Sequence, residues 1–159
     1  MPQTNAKQSF SFDNDNKKAG FRLKYLQVYN WGLYNNEVFT ISPEMQSSLL
    51  IGGNASGKTT LIDALLTLFL SNPKYNLAGD AQKKHDRDIS SYILGNFSER
   101  TNDSGEIIPE QLRKKNDYTF ILAAFHNNGL NTDITLGQFF WFKNLESKRP
   151  KRLYFIGMC

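Results

Sequence analysis

An α/β fold, with a mixed sheet of largely antiparallel strands around one central helix, follows from three features of the sequence. The first is the run Ile51-Gly52-Gly53-Asn54-Ala55-Ser56-Gly57-Lys58-Thr59-Thr60, in which Gly52, Gly57, Lys58 and Thr59 fill the four fixed places of the phosphate-binding pattern G-x-x-x-x-G-K-[ST]. The second is its setting. Ser48-Leu49-Leu50-Ile51 reads as a short buried strand, and Thr60 to Leu70 reads as a helix stopped by Ser71-Asn72-Pro73, so the order is strand, loop, helix. The third is a series of aromatic and β-branched runs near the end, Tyr118 to Phe125, Asp133 to Phe142 and Arg152 to Met158, which predicts an antiparallel meander.

Taken in order, residues 1–20 are polar and rich in Asn, Gln, Ser and Lys, a composition that does not order by itself. The folded unit is expected over 21–159. Phe21 to Tyr25 alternates apolar and basic residues like a half-exposed strand, the pattern shifts phase over Leu26 to Tyr29, and Asn30-Trp31-Gly32 turns the chain. Val38-Phe39-Thr40-Ile41 is a second strand closed by Ser42-Pro43, giving a hairpin that leads into the strand before the loop. Beyond the helix, Ser71 to Lys84 reads as a loop with turn residues Asn72-Pro73 and Ala78-Gly79-Asp80. Asp88 to Gly95 reads as a short helix stopped by glycine, and Asn96 to Asn116 as an exposed excursion. The final strands are separated by Asn127-Asn128-Gly129 and by the basic segment Lys143 to Lys151.

The loop carries the chemistry. Its glycines let backbone N–H groups face inward, so Gly52, Gly53, Asn54, Ala55, Ser56, Gly57, Lys58, Thr59 and Thr60 are expected to cradle the phosphates of ATP or GTP at a helix N-terminus. Lys58 would reach the β- and γ-oxygens, and Thr59 would offer its hydroxyl to Mg²⁺, which takes few protein ligands and keeps most of its waters. A second candidate lies in the meander. Ile134, Leu136, Gln138, Phe140 and Phe142 fall on one strand face at period two, and Gln138 is the polar exception. A buried glutamine costs about 1–3 kcal/mol unless its amide is satisfied, so Gln138 is either hydrogen-bonded structurally or aimed at a ligand.

Composition bounds the class. The chain has 159 residues, 40% of them hydrophobic, enough for one core. Cys159 is the one cysteine and His85 and His126 the two histidines, which excludes an internal disulfide framework, a cysteine zinc cluster and a paired-histidine zinc motif. Apolar stretches such as 61–70 and 120–125 are too short to cross a bilayer, and no signal-peptide pattern is present, so a cytoplasmic protein without membrane partners is expected. Lys and Arg exceed Asp and Glu by 19 to 15, and the net charge of +4 is compatible with nucleic-acid contact. The basic runs 83–87, 113–115 and 148–152 are expected as solvated loops.

Phe21-Arg22-Leu23 with Val28-Tyr29-Asn30-Trp31-Gly32, the segment Leu49 to Leu65, and Arg87-Asp88-Ile89-Ser90-Ser91-Tyr92-Ile93-Leu94-Gly95 resemble the N-terminal part of an SMC-like ATPase. The similarity is strongest to the JetC/MksB/MukB group of the Wadjet and MksBEF plasmid-defence and chromosome-organising complexes, and it spans about Phe21 to Met158. The resemblance implies the N-terminal lobe of an ABC-type ATPase head, binding ATP and Mg²⁺. It also implies a glutamine loop at Gln138, in Leu136-Gly137-Gln138-Phe139-Phe140-Trp141, contacting Mg²⁺ and the attacking water alongside the catalytic Lys58. It places the Asn30-Trp31-Gly32 segment near the base and ribose, although Trp31 reads equally as core. The implied partners are a second SMC-like head, kleisin and accessory subunits, and DNA.

Such heads also need a signature sequence, a catalytic glutamate on an acidic strand and a histidine switch beyond a coiled coil. This sequence contains none of these and no heptad stretch, so a fragment of a longer protein, inactive alone, is expected. Two other readings stand beside it: a nucleotide-binding module without turnover, and a small P-loop kinase or GTPase, for which no acidic metal ligand or base-recognition motif is found.

Overall fold

Residues Arg22–Tyr29 form the first strand, β1, and the phase shift in its sequence is absorbed by an irregularity in its pairing between Leu23 and Tyr25. The computed structural model describes residues 20–75 and 88–159. The polar N-terminal tail to residue 19, the Ala78-Gly79-Asp80 turn and the basic run at 83–87 therefore lie outside the described residues. β1 pairs antiparallel with β2 (Val38–Ile41), Leu26 opposite Ile41 and Tyr29 opposite Val38. Between them Asn30 takes a left-handed conformation at φ 54°. Its side chain accepts from the Asn36 N–H at 2.8 Å and donates to the Tyr118 carbonyl at 3.0 Å, which fixes where Trp31 and Gly32 leave the sheet.

The meander forms as expected. Strands β5 (Tyr118–Asn127), β6 (Thr132–Trp141) and β7 (Lys151–Met158) pair consecutively, and β1 joins β5, so the five-stranded sheet runs β2-β1-β5-β6-β7. Across one face of it lies α1 (Lys58–Phe69). Leu61 and Ala64 of α1 meet Leu26, Val28, Ile121, Ala123 and Phe140 of the sheet, and Trp31, Tyr75, Tyr92, Ile93, Leu94 and Phe142 complete the buried cluster. The opposite face carries stacked aromatics, with Tyr118 between Tyr29 and Phe139 at ring separations of 5.3 Å on each side. The short helix α2 (Ile89–Leu94) is bounded as the sequence predicts. Asp88 caps it by accepting from the Ser91 N–H at 2.7 Å, and Gly95 ends it at φ 67°.

One expectation is corrected. Ser48 to Ile51 is not a strand: Leu49 is 85% and Ile51 78% exposed, and the segment joins neither sheet among the described residues. A short apolar run becomes a strand only where neighbours pair its backbone and cover both faces, and the antiparallel order here offers no such slot. The excursion from 96 to 116 is exposed, as expected, and has regular structure. It folds as a separate two-stranded hairpin, β3 (Asn96–Thr101) with β4 (Ile107–Gln111), closed by a turn in which Asn102 Oδ1 accepts from the Ser104 and Glu106 N–H groups.

Candidate functional site

The loop from Gly52 to Thr60 sits at the N-terminus of α1, and its backbone explains the residue pattern. Ala55 is left-handed at φ 61° and Gly57, the N-cap of α1, lies at φ 87°. A side chain at Gly57 would stand 2.6 Å from the Tyr34 hydroxyl, so glycine is required there by conformation and by space. Among the described residues no side chain caps α1, and no acidic residue occupies its first turn. The first amides of α1 are therefore left to an external acceptor, at the end of the helix that favours negative charge.

Lys58 closes the loop on itself. Its ammonium donates to the carbonyls of Gly52 and Gly53, both at 2.7 Å, and to Ser56 Oγ at 3.3 Å. The loop thus already gathers a cation, a ring of backbone groups and a helix terminus at one exposed point, with Thr59 beside it on the surface. This donor set fits a polyphosphate. Among the described residues no group of three or more His, Cys, Asp or Glu side chains converges as a metal site. The ligands available to Mg²⁺ would be the Thr59 hydroxyl, phosphate oxygens and water, the coordination this ion prefers.

Behind the loop, the fully buried Trp31 donates from Nε1 to the Thr60 carbonyl at 2.8 Å and stacks on Tyr92 at 4.6 Å. Of its two sequence readings, Trp31 takes the core one. The Tyr92 hydroxyl donates to the buried carboxylate of Asp63 in α1, and Thr67 links the Asp63 carbonyl at 2.6 Å to the Tyr75 hydroxyl at 2.9 Å. The helix that presents the loop is thereby held from behind by a polar and aromatic cluster.

Gln138 is not brought to the loop. It is 1% exposed, and its amide donates to the Thr67 carbonyl at 2.7 Å. Thr67 lies nine residues along α1 from Lys58, about 13 Å at the helical rise. Position 138 falls within β6, and here the side chain makes a strand-to-helix hydrogen bond; the Mg²⁺ and water contacts expected for it are a matter of proposal. Its Oε1 finds no partner among the described residues.

The basic run at 113–115 also departs from expectation at its first residue. Arg113 is 4% exposed and all five guanidinium N–H groups are used. Nε donates to Ile93 O at 2.7 Å, Nη2 to Gly32 O and Tyr92 O at 2.8 Å each, and Nη1 to Tyr34 O and Asn35 Oδ1 at 3.1 Å each. The cation caps the C-terminus of α2 and ties it to the turn after β1, at the negative end of the helix. Burial lowers its pKa to about 10, against a smaller opposing effect of Asp117. No local pattern marks Arg113 as different from Lys114 and Lys115; the signal is the cluster of helix-end carbonyls that it serves.

Tyr75 supplies a pH signature. Burial, the largest cause, pushes its hydroxyl from 10.0 up to about 12, with the Thr67 hydrogen bond acting the other way and Asp63 adding to the rise. The neutral phenol is the form the fold favours. Its stabilising contribution is complete below pH 10 and is lost as pH rises to 12. Urea midpoints measured across that window are expected to fall more steeply for the wild type than for Tyr75→Phe, and parallel profiles would contradict this.

A family model described as the P-loop containing region of AAA domain matches residues 23–82. None of the curated protein sequences matches the chain. A solved structure from work on "ATP-driven dimerization and DNA stimulated activation of SMC ATPases" superimposes with a TM-score of 0.54 at 17% identity, covering 85% of this chain and 69% of that one. The fold is that of a P-loop ATPase head. Within that fold the Lys58 loop lies at the N-terminus of α1, on one face of the sheet. No helix among the described residues is long and apolar enough to cross a membrane.

Proposed function

We propose that the chain is the ATP-binding N-terminal lobe of an SMC-like ATPase, of the Wadjet or MksBEF kind that acts on plasmids or chromosomes. The observation that carries this is the geometry of the loop: Lys58, the uncapped start of α1 and Thr59 converge on one exposed point of a P-loop ATPase head. Lys58 exchanges its contacts with Gly52 and Gly53 for β- and γ-phosphate oxygens. The amides from Gly57 to Thr60 take the remaining charge, and Thr59 orients Mg²⁺. The metal, when bound, supplies the Lewis acid that neutralises charge on the transferred phosphoryl group.

Turnover belongs to a larger assembly. With Gln138 held under α1, the described residues offer binding and positioning rather than activation of water, which favours a lobe that binds without hydrolysing by itself. The SMC ATPase that shares this fold is described by ATP-driven dimerization and DNA-stimulated activation. By extension, a second head would complete this site, kleisin and accessory subunits would join the arms, and DNA would be gripped through its backbone in a salt-sensitive way in the cytoplasm. The chain alone is expected to bind Mg²⁺-ATP without releasing phosphate above background, with or without duplex DNA. Sustained turnover by the chain alone would contradict this reading and favour a small self-contained P-loop enzyme.

A further inference from the structure

The last strand of the sheet is bare. All eight residues of β7 are exposed, with Ile156 at 74% and Met158 at 69%, and among the described residues no strand pairs with its outer edge. The run Leu153-Tyr154-Phe155-Ile156-Gly157-Met158 holds no charge and no proline, the two devices that commonly keep a sheet edge from templating another strand. The opposite edge differs, since β2 has four residues, with Glu37 before it and Pro43 shortly after.

The unpaired backbone groups of this edge have a fixed phase. Cys159 and Asp133 exchange both backbone hydrogen bonds, at 2.9 and 3.1 Å, and their pairing continues the register of β7 on β6, in which Gly157 meets Thr135 and Phe155 meets Gly137. In an antiparallel ladder such hydrogen-bonded pairs alternate with residues whose N–H and C=O point the other way, so Arg152, Tyr154, Ile156 and Met158 direct theirs outward. Phe155 lies over Gly137, whose lack of a side chain leaves room for the ring, and stacks on Phe120 at 6.2 Å.

We infer that β7 pairs antiparallel with β7 of a second copy of this chain, about a twofold axis at Phe155, so that two sheets join into one. The strand is complementary to itself in that register. Arg152 stands opposite Met158 of the second copy and Tyr154 opposite Ile156, so every outward N–H and C=O finds a partner, whereas an axis at Tyr154 or Ile156 leaves one end of each strand unpaired. The same register sets Lys151 and Arg152 of each chain beside the uncharged Met158 end of the other, while parallel pairing would set cations on cations. A twofold contact of this kind closes after two copies. It is also separate from the Lys58 loop and independent of nucleotide. Arg152 Nη2 donates to Ser71 O at 3.1 Å, just past the C-terminal end of α1, and the loop lies at the other end of that helix, about 18 Å along its axis.

One strand pair is a small interface, so sedimentation velocity without nucleotide is expected to show a monomer–dimer equilibrium between about 1 and 200 μM. Ile156→Pro removes an outward N–H and spares the bonds to β6, and should weaken dimerisation about tenfold or more with an unchanged circular dichroism spectrum. Ile156→Lys leaves the backbone alone and should act in the same direction; it decides the matter if the proline variant unfolds. Cross-linking reads the register. In a Cys159→Ser background, Phe155→Cys places two thiols across the axis in a non-hydrogen-bonded pair with Cα atoms about 4.5 Å apart, within disulfide reach, and a linked dimer is expected on mild oxidation. The wild-type Cys159 thiols, about 26 Å apart in this pairing, should not link the same dimer. A monomer across the whole range, a dimer that both Ile156 variants leave intact, a dimer that forms only with Mg²⁺-ATP, or assemblies beyond two copies would each overturn the pairing. A dimer that Phe155→Cys fails to link would overturn the axis at Phe155.

Discussion

Lys58→Ala is expected to weaken Mg²⁺-ATP binding by about a hundredfold or more, some 3 kcal/mol, with little change in thermal stability. Among the described residues the ammonium is the one cation inside the loop, 2.7 Å from two of its carbonyls. A phosphate entering there must pair with it or leave several oxygens facing carbonyl oxygens. Its contacts lie at the surface and within six residues of sequence, so removing them costs the fold little. Isothermal titration of both proteins, with melting curves as control, checks this, and wild-type affinity in the variant would remove Lys58 from the site.

Arg113→Ala is expected to destabilise the fold by about 3–5 kcal/mol, a large share of the 5–15 kcal/mol typical of a domain. The substitution leaves the carbonyls of Gly32 and Ile93 without the Arg113 donor, leaves Tyr92 O with the Gly32 N–H alone, and removes the cap of α2. Arg113→Lys should recover only part of the loss, because one ammonium cannot span acceptors that a planar five-donor fork reaches together. Lys114→Ala next door should change stability by less than about 0.5 kcal/mol, since its side chain is exposed. Urea denaturation of the three variants decides it: equal effects at 113 and 114 would mean that the buried guanidinium does not hold α2 to the turn.

The sequence is most informative where local chemistry forces local structure. The loop pattern requires Gly57 for conformation and Lys58 for charge, and both stand where that pattern puts them. Asp88 and Gly95 bound α2 because capping and left-handed conformation are local properties, and the last three strands alternate clearly enough to be read. Elements that depend on distant partners are not legible in this way. Leu49 to Ile51 has the composition of a buried strand but joins no sheet among the described residues. Arg113 looks like its lysine neighbours, yet it is buried by carbonyls from residues 32, 92 and 93. Gln138 illustrates the same limit: its burial is readable from strand periodicity, but which end of α1 it meets depends on the register of β6 under the helix.

That register also shapes the account of function. A glutamine at the loop would argue for hydrolysis within this lobe, whereas one tied to Thr67 accords with the proposal that Lys58, Thr59 and the first amides of α1 form the binding set. The proposal therefore separates holding a nucleotide from cleaving it, and the former is its testable core.

The most direct test is an amide-resolved nuclear magnetic resonance titration of the isotope-labelled chain with Mg²⁺-ATP. Saturable shifts centred on the amides of Gly52 to Thr60, and absent in Lys58→Ala, are the predicted result, since Lys58 must release Gly52 and Gly53 as phosphate takes their place. Saturable binding that leaves those amides unmoved, or no binding at all, would contradict the assignment of this loop as the nucleotide site.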